Sequence, residues 1–430
     1  MQALVSIWAG QLVSLVASGV SVFSLNLWIL QQSGSIWRFA LAFFLTSLPG
    51  LLLAPFAGVF VDRHDLRRTM LKCDVAAGII TASMLALSFT AAFSSIAIYA
   101  AMVLQSCLAA FRWPAYQALI SSLSPPENLP RMAGMVQLAE ACNYILAPVL
   151  GGLLFPVYGL HLVLAIDVAG SSIAFATLWH ARGDGRRTAS SSKSFFGDIE
   201  CAWRYLRNQP ALLRLLAFFA GMNLVAAMVM VLVTPYLLSF APPRVLGQVM
   251  SSAALGMLAG GLVMIATKPG VRLVRGIARF SVVGGVAIGM AGLQRAPWWF
   301  ALCGFVFFFS MAVVNAKSQA LWQLRVDASV QGRVFSARRA LAMLTLPLGQ
   351  LLSGPLGEKA ERVMSREGAL APTFIGSLLG VGPGHGIALI FLGIGLYSVL
   401  LAGLCLRGES FAALERAGRT PEQISALHAH

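Results

Sequence analysis

YQALISSLSPPENLPR (residues 116–131) and SQALWQLRVDASVQGR (residues 318–333) share one register. Gln117, Ala118, Leu119 and Arg131 of the first return 202 residues later as Gln319, Ala320, Leu321 and Arg333 of the second. Gly152 and Leu154 return at the same spacing as Gly354 and Leu356. Single matches are common between apolar stretches. One ungapped offset that carries two successive apolar runs onto two later ones indicates an internal duplication.

Composition says what solvent the halves face. Of 430 residues, 58% are hydrophobic and 11% charged, and the mean hydropathy is +0.78. A soluble domain carries about 25% charged residues, so this chain is built for lipid. Crossing the hydrocarbon takes about 20 apolar residues. Twelve runs qualify, at about 5–31, 37–61, 70–92, 95–120, 132–156, 160–181, 211–240, 244–267, 277–294, 297–321, 334–357 and 386–407. They are continuously apolar rather than alternating, which excludes a barrel. The expected fold is an all-α membrane protein of twelve transmembrane helices in two six-helix bundles. Residues 1–181 form the first bundle, 182–210 a linker, 211–407 the second bundle and 408–430 a tail. Two parallel halves are the architecture of carriers that rock about a central site. No cleavable leader is expected, because Met1 to Leu4 carry no basic residue and the following run is too long.

An even number of crossings puts both termini on one face. Taking that face as cytoplasmic, its segments hold 23 Lys and Arg against 6 on the outer face. That asymmetry predicts cytoplasmic termini. The linker begins Ser/Gly/Arg-rich and then carries Phe196, Ile199, Trp203 and Leu206 at helical spacing, with Arg204 and Arg207 off the stripe. This reads as an amphipathic helix on the inner leaflet. The net charge of +15 is dispersed in short loops, so no nucleic-acid partner is expected. The six cysteines are scattered, so neither a metal site nor a disulfide framework follows. No phosphate loop is present and no cofactor is implied. His64, His161, His180, His385, His428 and His430 form no motif. That leaves a multispan membrane enzyme as the weaker alternative of another class.

GVFVDRHDLRR (58–68) is the densest charge cluster near the N-terminus, in the loop between runs 2 and 3. Arg63, Arg67, Arg68 and Lys72 anchor the topology. The loop also resembles the signature of the major facilitator superfamily at Gly58, Asp62, Arg63 and Arg67, with Asp65 and Leu66 in place of a Gly and an Arg. In run 5, GMVQLAEACNYILAPVLGG is similar to the family's antiporter signature at Gly134, Pro148, Gly151 and Gly152, with Asn143 and Ala147 replacing two glycines. AGQLVSLVASGVSVFSLNLWILQQSGS, FRWPAYQAL and VQGRVFSARRALAMLTLPLGQLLSGPL resemble the bacterial branch of macrolide-efflux proteins and the enterobactin exporter.

The resemblance implies a monomeric, proton-coupled exporter of an amphipathic drug, secondary metabolite or siderophore in the bacterial inner membrane. Uptake or facilitated diffusion stays open as an alternative. Protons, the small molecule and lipid would be its partners. The loop cluster would then latch one half against the other.

Charges within the runs need a partner or a task, since each costs about 2.5–3.5 kcal/mol at mid-bilayer. Glu140 and Arg112 are expected at similar depth and to pair, either as a static bridge or with Glu140 taking up a proton. Asp167 is a second candidate, for a proton or cation or for a hydrogen bond at a helix interface. Lys317 is expected to snorkel. Asn26, Gln105, Asn223 and Asn315 lie on the four helices that line the cavity in the resembled family, where each could also bond a neighbouring helix. Pro49, Pro55, Pro148, Pro235 and Pro347 permit bending. A proton crossing about 150 mV supplies about 3.5 kcal/mol, a concentration ratio of roughly 300-fold, sufficient for efflux.

Overall fold

In lipid an apolar run has no water to satisfy its backbone, so it must bond to itself, and the runs are α-helices. The computed structural model describes residues 2–123, 129–180, 203–266, 273–326 and 331–407, apart from some side chains within helices, those of Asp62, Arg131 and Arg333 among them. The first half contains α1 (Gln2–Ser33), α2 (Ile36–Arg63), α3 (Leu66–Leu87), α4 (Ser95–Leu123) and α5 (Leu129–His180). The second contains α6 (Pro210–Leu238), α7 (Pro243–Ala266), α8 (Leu273–Ala291), α9 (Pro297–Arg325), α10 (Gln331–Val363), the short α11 (Phe374–Leu379) and α12 (His385–Arg407).

Ten helices among the described residues are long and apolar enough to cross a membrane. One of them, α5, breaks at Gly159 (φ +73°) into two arms, a left-handed conformation that glycine adopts without a Cβ penalty. Those arms are runs 5 and 6. With the 33 residues of α10 the crossings number twelve. The repeat is visible in the boundaries. α4 and α9 are 202 residues apart at both ends, and α5 and α10 start 202 apart, at Leu129 and Gln331.

The chain divides into two compact units, Met1–Lys193 with Pro242–Gly247, and Ser194–Ala241 with Gln248–His430. In the first, α1 lies along both arms of α5 through small residues. A Cβ added at Gly19 would meet Asn143 and Ala147, and one at Gly170 would lie 2.8 Å from the Ala17 Cβ. Membrane helices gain little from burying oil against oil, so such close backbone approach is what holds them. In the second unit the same device recurs between α10 and α6, where a Cβ at Gly349 would sit 2.3 Å from the Leu224 carbonyl oxygen.

The loop between α2 and α3 explains its own departures from the signature. Asp65 caps α3, accepting a hydrogen bond from the Arg68 amide at 2.9 Å, and Leu66 is fully buried in the first unit's core. In the second unit, GVGPGHG (380–386) forms a turn, with Gly380, Gly382 and Gly384 all at positive φ. The Glu361 carboxylate closes it by accepting from the Gly384 and Ile387 amides (3.0 and 3.1 Å) at the start of α12. The linker reading falls on 182–202 and the tail on 408–430, outside the described residues. Of the linker's stripe, Leu206 is buried with Leu212, Phe218 and Trp322, whereas Trp203 is exposed.

Candidate functional site

Polar chemistry inside the first unit is concentrated on α1, α3, α4 and the second arm of α5. α3 and α4 are consecutive and packed together. On α3, Asp74 and Thr81 are two turns apart, about 10 Å along the axis. On α4, Arg112 and Gln105 have the same separation in sequence. The guanidinium of Arg112 lies 3.6 Å from Asp74, whose side chain is 1% exposed. Gln11 of α1 donates to the other Asp74 carboxylate oxygen at 3.0 Å. Two turns along, Gln105 donates to the Ala77 carbonyl (3.1 Å) and the Thr81 hydroxyl (3.2 Å). Thr81 donates onward to Asp167 at 3.2 Å, and Ser18 of α1 donates to the second Asp167 oxygen at 2.7 Å. Asp167 is 3% exposed.

The unit therefore buries two carboxylates in different company. Asp74 has a cation against it, and the residues bonded to Asp167 offer neutral hydroxyls. Burying a charge is costly without a partner and a hydrogen-bond shell, and the two carboxylates meet that cost with different groups.

The carboxylate described beside Arg112 is Asp74. Counted from Met70, the start of run 3, Asp74 lies one turn in and close to the basic loop. α3 in fact begins at Leu66, which places Asp74 two turns inside a helix. Glu140 is half-buried on α5. On the same helix, Asn143, Ala147 and Gly151 pack against Gly19, Phe23 and Ser24 of α1. Gly152 is buried, and Gly134 is exposed with open space beside it.

Arg67 donates from Nε to the Leu178 carbonyl at 3.1 Å and from its terminal nitrogen to Trp179. It thus caps the C-terminal end of α5 within its own unit, where a cation also meets the negative end of the helix dipole. Gly58 has nothing within reach of a Cβ, Arg63 is exposed, and the Asp62 side chain lies outside those described.

The second unit holds a cavity of about 400 Å³ lined by Leu216, Phe219, Asn223, Asn315, Gln319, Phe335 and Arg338. A smaller recess of about 40 Å³ shares Phe219, Asn223 and Asn315 with it. Asn223 of α6 and Asn315 of α9 line both. Gln105 belongs instead to the carboxylate network. Asn26 donates to the Val22 carbonyl of its own helix at 2.7 Å.

Arg338, counted from the sequence as an inner-face loop charge, was missed as a site residue. α10 begins at Gln331, so Arg338 sits two turns in. Its guanidinium donates to Gln319 Oε1 at 3.2 Å and to the Ser318 hydroxyl at 3.1 Å. It also lies 5.1 Å from the Trp322 ring centre. The repeat held the signal: the residue 202 positions earlier is Val136, buried in the first unit's core. Lys317 lays its stem across Gly276 of α8, as a snorkelling side chain does. The described residues hold no cluster of metal-ligating groups.

A sequence model of the Major Facilitator Superfamily matches residues 7–350. Among curated proteins, Macrolide efflux protein A of Streptococcus pyogenes is 28% identical over 370 residues, covering 82% of this chain and 89% of that protein. Multidrug efflux pump Tap of Mycobacterium tuberculosis is 25% identical over 369 residues, covering 81% and 85%. Among solved structures, a bacterial homolog of the human lysosomal transporter Spinster, inward-facing and unoccupied, superposes with a TM-score of 0.72 at 14% identity over 98% of both chains. A bacterial homologue of the iron transporter ferroportin gives 0.67 at 17% identity, covering 96% and 98%. These likenesses to solved structures establish the fold.

Proposed function

The chain belongs to the Major Facilitator Superfamily, and from that premise we propose that it is a proton-driven exporter of an amphipathic small molecule. It is a multi-pass membrane protein related to macrolide and multidrug efflux pumps. The proposal adds direction, coupling ion and the residues that carry them, working as a monomer in the bacterial inner membrane with both termini in the cytoplasm.

One observation carries the coupling. Asp167 is buried, and its hydrogen bonds come from Ser18 and Thr81, groups that stabilise a carboxylate without themselves carrying a charge. A proton is the smallest ion that neutralises it in place. Asp74 has the Arg112 guanidinium 3.6 Å away, and it serves as the partner that orients Arg112. In the transport cycle Asp167 gains a proton in one access state and loses it in the other. Thr81 and Ser18 rotate their hydroxyls to follow, since a hydroxyl both donates and accepts. Glu140 is the second protonatable candidate of this unit. The substrate contacts Asn223, Asn315 and the aromatic walls of the second unit's cavity, whose size suits a small amphipathic ligand.

Inside-out vesicles containing the protein test this with macrolide, peptide and catecholate compounds, with and without an imposed pH gradient. The expected result is gradient-dependent accumulation that Asp167→Asn abolishes, while exchange of substrate across the membrane without a gradient persists. Accumulation indifferent to the gradient refutes proton coupling. Accumulation only in right-side-out vesicles makes the protein an importer.

A further inference from the structure

The lining of the second unit's cavity bears on the charge of what it takes. Between Pro210 and Gly357 the sequence holds one acidic residue, Asp327, and it lies outside the described residues. None of the residues lining the cavity is acidic, and Arg338 is one of them. A positively charged substrate group brought there would meet a guanidinium and, among the described lining residues, no carboxylate. At 4 Å and an effective dielectric of about 20, two like charges repel by about 4 kcal/mol.

The hydrogen-bonding sense of the lining points the same way. Arginine has five N–H donors and accepts nothing. Arg338 spends one on Gln319 Oε1 and one on Ser318. Because Gln319 accepts through its oxygen, its amide nitrogen is left to donate. The Trp322 ring 5.1 Å away and the two hydrogen bonds hold the guanidinium, and a guanidinium fork so held can take a carboxylate in two-point contact. Phe219, Phe335 and Leu216 supply an apolar wall beside that fork. Arg338 is also a departure from the repeat, standing where the first unit has Val136.

We propose that this cavity selects an amphipathic substrate bearing a carboxylate, with Arg338 and Gln319 binding the anionic group and the aromatic wall its apolar body. The inference rests on the reading of the cavity as the substrate site, and it sets this chain apart from a pump for amphipathic cations. Asn223 and Asn315 bond the polar atoms between the two ends.

Pyrenebutanoate, pyrenebutanol and pyrenebutylamine share one body and differ in the end group. Their saturable binding to the full-length protein in phosphatidylcholine nanodiscs, at pH 7.5, decides the matter by fluorescence. The expected order is carboxylate tightest, with the amine at least about tenfold weaker. Arg338→Gln reduces the carboxylate's advantage to about twofold or less, and Arg338→Lys retains part of it, since a point charge replaces a fork. Equal or tighter binding of the amine overturns the proposal in the unmodified protein, whatever the variants' folding. Loss of carboxylate binding when phosphatidylglycerol is added also overturns it, by assigning the site to a lipid headgroup. Pyrenebutylamine export driven by a pH gradient, without carboxylate preference, leaves the exporter reading intact and removes only this inference. Carboxylate preference without gradient-driven movement of any probe does the reverse.

Discussion

Arg112 and Val314 occupy the same place in the repeat, and so do Val136 and Arg338. Each unit therefore carries one deeply placed arginine where its twin carries valine, but on a different helix and with different company. In the first unit Arg112 faces the Asp74 carboxylate, and a second acid, Asp167, is held by hydroxyls nearby in the bundle. In the second, Arg338 is held by an amide oxygen, a hydroxyl and an indole ring. Gln105, which bonds Thr81 in the first unit, has Phe307 as its twin, in the wall of the smaller recess. Duplication thus preserved the helical scaffold while the polar content diverged, acid chemistry on one side and a donor-rich cavity on the other. Helix pairing is what the repeat retains: α1 packs on α5, and α6 packs on α10 and α12. The proposed division of labour between proton and substrate follows that split.

The most severe way to break the contrast is to remove one member of the buried pair. Asp74→Asn leaves Arg112 without its counter-charge and is expected to cost about 3 kcal/mol of stability, read as a fall in the thermal unfolding midpoint. The double variant Asp74→Asn with Arg112→Leu should recover part of that loss. No recovery would mean that the pair does not interact.

A cavity-side change sharpens the comparison without touching the acids. Arg338→Gln is expected to raise the KM for a carboxylate-bearing substrate about tenfold, equivalent to about 1.4 kcal/mol, while leaving the pH dependence of transport as it was. Packing gives a third comparison. Gly349→Ala drives a Cβ to within 2.3 Å of the Leu224 carbonyl, where only backbone movement can relieve it, and should destabilise by about 1–3 kcal/mol. Gly134→Ala, with open space beside it, should change the unfolding midpoint little. The smallest effect is expected at the loop. Arg67→Ala removes two hydrogen bonds to the end of α5, and about 1 kcal/mol of stability, and a larger loss confined to transport rate would show that Arg67 also acts as a conformational latch.

The helices and their duplication were legible because lipid makes hydropathy decisive and because one offset ran through the second half of each bundle. The break at Gly159 was legible too, as a gap between two runs. Partners across helices were not. Sequence placed Arg112 and Glu140 at one depth, but depth does not say which faces meet. The face of α3 turned toward α4 and α1 carries Asp74, and α5 spends its small-residue face on α1. Arg338 was misplaced for a related reason: basic residues near a run's end look like topology anchors until the helix start is known. The departures at Asp65 and Leu66 gained their meaning only when one was seen to cap α3 and the other to fill its base.

The account's central claim is that protons are handled by acids of the first unit and substrate by the second. It is tested most directly by measuring pyrenebutanoate affinity between pH 5.5 and 8.5 in the wild type, Asp167→Asn and Arg338→Gln. For an antiporter, proton loss favours substrate binding, so wild-type affinity should rise about tenfold across this range by linkage. Asp167→Asn should give a flat profile, and Arg338→Gln a profile parallel to the wild type but displaced to weaker binding. A wild-type slope retained in Asp167→Asn, or lost in Arg338→Gln, contradicts the division.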